Sequence, residues 1–165
     1  MKLIVCTLLT CFIIGCSTSN PTIERIESQI SKKGSRAYLD ELAANHNLLT
    51  ENIDILQTGL NKGDPDAFSV AGQLKSVSDA GMSTTLNFMV ARSIPYQPKM
   101  AMGTVDNGFE LAGICNVPFV EASKKTVDEF ISSAMVALDS EVSNGSELAA
   151  ECKAIFEGRI ANLLK

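Results

Sequence analysis

Residue types that build metal sites, catalytic sites and nucleic-acid interfaces are scarce in this chain. It contains one histidine, no tryptophan and 5% aromatic residues. Because zinc sites are completed by several histidine or cysteine ligands, a single histidine gives little basis for one. Acidic residues outnumber basic ones, 19 against 14, and an acidic surface repels phosphate backbones. We therefore expect no metal, no other cofactor and no nucleic-acid partner.

The apolar run at the N-terminus is too short for a permanent membrane helix. It extends from Leu3 to Ile14, about a dozen residues, whereas a helix that crosses the hydrocarbon layer needs about 20. A basic start, a short apolar core and a small residue before the cut are typical of a secretory signal. Lys2 supplies the basic start and Gly15 the small residue, so we predict a cleaved signal peptide over residues 1–15.

The residues around this cut carry a more specific pattern. The tetrapeptide Ile13-Ile14-Gly15-Cys16 resembles the lipobox of bacterial lipoproteins, in which the cysteine becomes the lipid-modified first residue of the mature protein. The resemblance implies that Cys16 carries palmitate-type chains, two or three in all, which anchor a protein stably at a membrane. The residue after the cysteine is Ser17 and not Asp. This pattern is similar to that of lipoproteins that are forwarded to the outer membrane, so we expect a protein anchored there that faces the periplasm. A plain secretory signal with a chance cysteine is the alternative.

Removal of the signal leaves few cysteines. Of the five in the chain, Cys6 and Cys11 lie in the apolar core of the signal, and Cys16 would carry the lipid. The remaining two, Cys115 and Cys152, most simply form a disulfide in an oxidising compartment. Two independent buried cysteines are the alternative, because cysteine is a common core residue.

Residues 16–34 are predicted to hold the lipidated cysteine, a polar tether and a first helix. The tether, Ser17 to Pro21, contains no apolar residue and is typical of a flexible segment. Isoleucines then recur at helical spacing: Ile23, Ile26 and Ile30. The apolar face of this helix is thin, which leaves it free to lie apart from the core. We place that core in a helical domain over residues 35–165.

The fold class predicted for this domain is all-α. Apolar residues recur at three- and four-residue spacing, and no stretch shows sustained strand alternation. The clearest local signal is Asp64-Pro65-Asp66, in which Asp64 can cap a helix that Pro65 opens. We expect this helix to run through Val77 and the next to be capped by Ser83. The sequence therefore predicts an irregular bundle of helical hairpins with about six helices.

The succession of short helices has a weak architectural resemblance to helical-repeat proteins of the HEAT type. It covers approximately Asp64 to Lys165. Such arrays repeat a residue pattern at a period of about 40, which this chain does not show, and an irregular bundle is equally compatible. The resemblance implies an arrangement of helices and no particular function.

No residue is predicted to be catalytic. His46 stands alone between two helical segments, and a general base or metal ligand would need partners there, so we interpret it as a solvent-facing residue. Asp128 and Glu129, and likewise Glu110 and Glu121, are possible acid/base pairs. Their spacing is first of all typical of a solvated helix face.

The segment from Arg92 to Met102 is the best candidate for a partner surface. Arg92, Tyr96 and Lys99 lie there among prolines that stiffen the backbone. Tyrosine and arginine are residue types that anchor interfaces. An ordinary rigid connection between helices is the alternative.

We favour the function of a protein-binding module, lipid-tethered in the periplasm. It would act as an envelope-assembly accessory, or as an immunity or exclusion factor that neutralises an incoming effector. A small enzyme acting on envelope material is the second hypothesis, and it would need His46 or an acid pair in a cleft. A carrier of a small apolar ligand is the third, and it would need an enclosed cavity lined by methionines, which otherwise fill gaps in the core: Met82, Met89, Met100, Met102 and Met135.

Overall fold

A computed structural model describes residues 23–163 of the chain, and the side chains of residues 23–159. These residues form helices and connecting turns without a strand, so the all-α prediction is confirmed. The elements are α1 (Ile23–Lys33), α2 (Ser35–Ala44), α3 (His46–Lys62), α4 (Pro65–Lys75), α5 (Ala80–Ser93), α6 (Pro98–Gly103), a 3₁₀ turn (Thr104–Asn107), α7 (Leu111–Ile114), α8 (Lys124–Ser143) and α9 (Glu147–Leu163). The predicted signal peptide, Cys16 and the tether lie outside the described residues.

Seven of these helices have ten or more residues, and α6 and α7 are short. The prediction of about six helices in an irregular bundle is therefore close to the observed count within residues 23–163. Across the same residues, no helix has both the length and the apolar character needed to cross a membrane.

The first helix packs into the core, and the expectation that it lies apart is wrong. Ile23, Ile26 and Ile30 are buried, with only 1% of Ile23 exposed. Gly59 of α3 makes this contact possible. A Cβ atom at Gly59 would lie 2.7 Å from the Cβ atom of Ala67 and 3.3 Å from Cδ1 of Ile23. The missing side chain therefore lets α1, α3 and α4 approach one another closely.

The predicted capping at the start of α4 is confirmed. The Asp64 carboxylate accepts a hydrogen bond from the backbone N–H of Asp66 at 3.0 Å, and Pro65 lies in the first turn, where its missing N–H is not needed. Gly63, directly before this cap, has a φ of 76° and ends α3. Glycine adopts this left-handed conformation without steric cost.

The turn between α4 and α5 lies earlier in the chain than predicted. α4 ends at Lys75, before Val77, and the cap of α5 is Asp79, whose carboxylate accepts a hydrogen bond from the N–H of Met82 at 2.9 Å. Ser83 lies inside α5 and does not cap it. Asp79 immediately precedes α5, so its carboxylate reaches an N–H group of the first turn that has no partner within the helix. Ser83 is one turn further along the chain, where the helix has already begun.

The C-terminal third is a hairpin of the long helices α8 and α9. Ser146 caps α9, and its hydroxyl accepts a hydrogen bond from the N–H of Ala149 at 3.2 Å. Cys115 and Cys152 are both buried and form a disulfide, with their Cα atoms 5.3 Å apart. This bond joins the end of α7 to α9, and it confirms the predicted pairing.

Candidate binding groove

Phe119 lies in the loop that connects α7 to α8, and an aromatic stack fixes it there. Its ring meets that of Phe130 edge to face, with the ring centroids 5.3 Å apart and an interplanar angle of 87°. Phe130 of α8 in turn lies 6.1 Å from Phe156 of α9. Edge-to-face pairs of this kind stabilise by about 1 kcal/mol beyond the area that they bury. The stack therefore holds the loop on the α8–α9 hairpin.

Arg92, at the end of α5, holds the same loop from the other side. Its guanidinium carbon lies 5.5 Å from the centroid of the Phe119 ring, and its Nη2 donates a hydrogen bond to the carbonyl oxygen of Pro118 at 2.9 Å. The cation–π contact and the hydrogen bond act on adjacent loop residues. Arg92 is half-buried, and these two contacts position the loop against the end of α5.

A solvent-open groove of about 450 Å³ lies between the end of α5, this loop and α8. We name it the Phe119 groove, and it is lined by Asn61, Arg92, Pro95, Tyr96, Phe119, Glu129, Phe130 and Ser133. Tyr96 is 64% exposed at its edge. Aromatic walls with a few charged groups are typical of binding sites, since the apolar surface supplies affinity and the charges set orientation.

A second concave surface of about 480 Å³ also borders this loop. We name it the Arg159 groove, and it is lined by Asn116, Val117, Phe119, Glu121, Ala122, Val127 and Arg159. Glu121 has a φ of 59°, which is unusual for a residue other than glycine. The loop with Phe119 is therefore a wall shared by the two grooves.

The structure brings together two of the three residues predicted as a partner surface. Arg92 and Tyr96 line the Phe119 groove, whereas Lys99 is exposed at the start of α6 and is not part of the lining. Phe119 was not predicted as a site residue. The sequence signal that could have indicated it is the pair of apolar residues Phe119-Val120 in a segment between helices. In the structure Phe119 is half-buried and Val120 is 76% exposed.

His46 is the first residue of α3 and is exposed, in agreement with its interpretation as a solvent-facing residue. Within residues 23–163, no group of three or more His, Cys, Asp or Glu side chains is arranged to hold a metal ion.

All four residues of the candidate acid pairs are exposed, and the two on α8, Asp128 and Glu129, each form an ion pair with a lysine of the same helix. Asp128 Oδ2 lies 2.5 Å from Lys124 Nζ, and Glu129 Oε1 lies 3.7 Å from Lys125 Nζ. Both pairs have the (i, i+4) spacing of a solvated helix face. Glu129 and Arg92 both line the Phe119 groove, which therefore carries one negative and one positive side chain.

The methionines Met82 and Met89 line a small apolar cavity among the first five helices. Its volume is about 20 Å³, which is room for about one water molecule. Beside it, the Tyr38 hydroxyl donates a hydrogen bond to Asn52 Oδ1 at 2.6 Å. Burial raises the pKa of Tyr38, and the positive charge of Arg25 opposes this shift. In this conformation the cavity has no space for an apolar ligand.

Lys75 is the centre of a polar cluster that the sequence analysis did not identify. Its ammonium group donates hydrogen bonds to the hydroxyl of Ser83 and, at 3.0 Å, to Asn87 Oδ1, and it lies 5.3 Å from the centroid of the Phe109 ring. Burial lowers the pKa of Lys75, and the charge of Glu110 opposes this shift. The cluster joins the end of α4 to α5.

No protein-family model, no curated protein and no solved structure matches this chain. A functional assignment therefore depends on the Phe119 groove and on the N-terminal sequence pattern.

Proposed function

We propose that this chain is a lipid-anchored lipoprotein of the bacterial envelope whose helical domain holds a protein partner in the Phe119 groove. The tetrapeptide Ile13-Ile14-Gly15-Cys16, with its resemblance to a lipobox, supports the anchor. Ser17 after the cysteine supports a place at the outer membrane, facing the periplasm. The buried disulfide between Cys115 and Cys152 fits an oxidising compartment of this kind.

The observation that carries the partner site is an exposed tyrosine beside a fixed aromatic wall. Tyr96 is 64% exposed, while the Phe119 ring beside it is held by Arg92 and Phe130. A surface that is ordered before binding loses little conformational entropy when a partner docks. Large exposed aromatic residues with an arginine nearby are the usual centres of binding energy in protein interfaces.

A matched pair of variants tests the partner site. Tyr96→Ala removes the exposed ring at the edge of the groove, and Val136→Ala removes a side chain that is 70% exposed on α8 and does not line the groove. In pull-downs of the lipidated protein under mild detergent, we expect one stoichiometric partner to be retained by the wild type and by Val136→Ala. Tyr96→Ala should weaken binding by about 2 kcal/mol, which is roughly 30-fold.

Two outcomes of this experiment would contradict the partner site. Equal retention of the partner by Tyr96→Ala and by the wild type would exclude the groove as its centre. Failure of the wild type to retain any partner would count against the whole proposal. Circular dichroism of both variants verifies that the fold is intact, since each change is at an exposed position and should cost little stability.

Cys16→Ser tests the anchor independently. The wild type should incorporate labelled palmitate and remain in the washed membrane fraction, and the variant should do neither. A variant that stays in the washed membranes without label would refute the proposed attachment.

An envelope-assembly role and an immunity or exclusion role both fit a lipid-anchored binding module. The retained partner separates them, because an incoming effector would identify immunity and a resident envelope protein would identify assembly.

A further inference from the structure

We infer that the Phe119 groove opens at the end of the domain from which the lipid tether leaves, and that its occupant is a segment of a membrane-embedded protein close to where that protein leaves the bilayer. This inference rests on the proposed lipid anchor and partner site. It adds the orientation of the groove and the class of the partner.

The start of α1 and one wall of the groove lie on opposite sides of the same part of α3. Ile23 approaches α3 at Gly59, where a Cβ atom would be 3.3 Å from its Cδ1 atom. Asn61, two residues further along α3, lines the groove. Residues two apart on a helix point about 200° apart, and a helix with its side chains is about 10–12 Å across. The first residue of the domain therefore lies roughly one helix width from the groove.

The end of α5 lies at the same end of the domain. A Cβ atom at Gly63, which follows α3, would lie 2.7 Å from the side chain of Gln97. Gln97 directly follows Tyr96, so the edge of the groove is beside the end of α3. The opposite end of α5 is Ala80, and the 14 residues of this helix separate its two ends by about 20 Å. Tyr96 and Ala80 thus mark the near and far ends.

The predicted tether has a reach comparable to the length of α5. Seven Cα–Cα steps lead from Cys16 to Ile23, a distance of at most about 25 Å. The folded domain is excluded from the hydrocarbon layer. A lipid on Cys16 would therefore keep the start of α1, and the groove one helix width away, on the side that faces the membrane. A segment that emerges from the bilayer is within reach there.

Charge at this end favours a protein over the lipid surface as the occupant. Glu24, Glu27, Asp64 and Asp66 carry carboxylates close to the start of α1. Burial raises the pKa of Glu27, and the negative charges of the other three raise it further. Crowded carboxylates repel anionic head groups. This repulsion acts beside the start of α1, whereas the groove itself carries one positive and one negative group, Arg92 and Glu129, which a protein segment with both charges can pair.

Energy transfer tests the orientation without any partner. The full-length lipidated chain carries a fluorescent donor on a non-natural residue at Tyr96 or at Ala80, so that the disulfide stays intact. It is reconstituted in vesicles of phosphatidylethanolamine and phosphatidylglycerol with an acceptor on the head groups. We expect higher transfer from position 96 than from position 80, and a smaller difference when a flexible Gly-Ser segment is inserted between Asn20 and Pro21. Equal or reversed transfer would overturn the orientation, whether or not the groove binds a partner.

Photo-crosslinking in native membranes tests the partner class. A photoreactive phenylalanine derivative at Tyr96, which keeps an aromatic ring at the edge of the groove, should form adducts with a protein that resists carbonate extraction, through a peptide adjacent to a transmembrane segment. The same adduct should be lost when the derivative is placed at Ala80. Adducts with lipid alone would replace the protein by the bilayer surface, and adducts with a soluble protein would overturn the partner class. If no protein adduct forms at Tyr96 while energy transfer is as expected, the partner site fails and the orientation stands.

Discussion

Loss of the Cys115–Cys152 disulfide should destabilise the domain by about 4 kcal/mol. The two cysteines are 37 residues apart in sequence. For a loop of this length, chain entropy gives about 13 cal/mol/K, which is about 4 kcal/mol at 25 °C. A domain of the size of the described part of the chain unfolds with an entropy of roughly 0.3 kcal/mol/K, so the same change should lower Tm by about 13 °C.

The measurement compares three forms of the chain beginning at residue 17: oxidised wild type, reduced wild type, and the variant Cys115→Ala/Cys152→Ala. Urea unfolding followed by far-UV circular dichroism gives the free energy of unfolding, because the described domain is helical throughout its regular structure. The reduced wild type separates the bond from the packing of the sulfur atoms, since it keeps both. Both altered forms should fall below the oxidised wild type by about 4 kcal/mol.

Either of two results would refute this reasoning. If the oxidised wild type and the reduced wild type differ by less than about 1 kcal/mol, the bond does not restrict the unfolded chain as the loop length requires. If only the double variant is destabilised, the stabilisation comes from packing of the two buried side chains and the bond itself contributes little.

Two further predictions concern single side chains. The pKa of Tyr38 is raised above the ordinary value near 10, chiefly by burial, so its stabilising contribution is present below pH 10 and is lost as the pH rises through the raised value. Tyr38→Phe should abolish this loss of stability at alkaline pH, measured as the free energy of unfolding against pH, while Tyr96→Phe at an exposed position should leave it. An unchanged dependence of stability on pH in Tyr38→Phe would disprove the assignment of the loss to Tyr38. Gly59→Ala places a Cβ atom 2.7 Å from that of Ala67, so it should lower the free energy of unfolding in urea by about 1–3 kcal/mol. At Gly103 a Cβ atom would meet nothing within 4 Å, so Gly103→Ala should leave the free energy of unfolding unchanged or raise it by about 0.5 kcal/mol. Equal effects of the two glycine replacements would contradict the close approach.

Local signals in the sequence predicted those parts of the fold that local physics decides. The broad apolar face of α8, with Phe130, Ala134 and Leu138 buried, follows from helical spacing alone. The caps Asp64 and Ser146 follow from short polar side chains before apolar runs. The same kind of signal led to a wrong cap for α5, because Ser83 was predicted and Asp79 is the residue whose carboxylate accepts the hydrogen bond from Met82 N–H.

Contacts between distant segments were not predictable from these signals. The burial of α1 depends on Gly59 and Ala67 lying against Ile23, and no local pattern indicates which glycine serves a close approach. The candidate site was predicted in part, because Arg92 and Tyr96 are interface residue types in a proline-stiffened segment. The fixed position of Phe119 depends on α5 and α8 meeting around a loop, which is a property of tertiary packing.

The position of Phe119 between two grooves has a thermodynamic consequence. The ring is part of the lining of both the Phe119 groove and the Arg159 groove. A ligand that shifts the ring in one groove therefore changes the shape of the other groove. Linkage then requires that each ligand alter the affinity of the other by the same factor. Two solutes that never touch would report on each other through the displacement of a single phenyl ring.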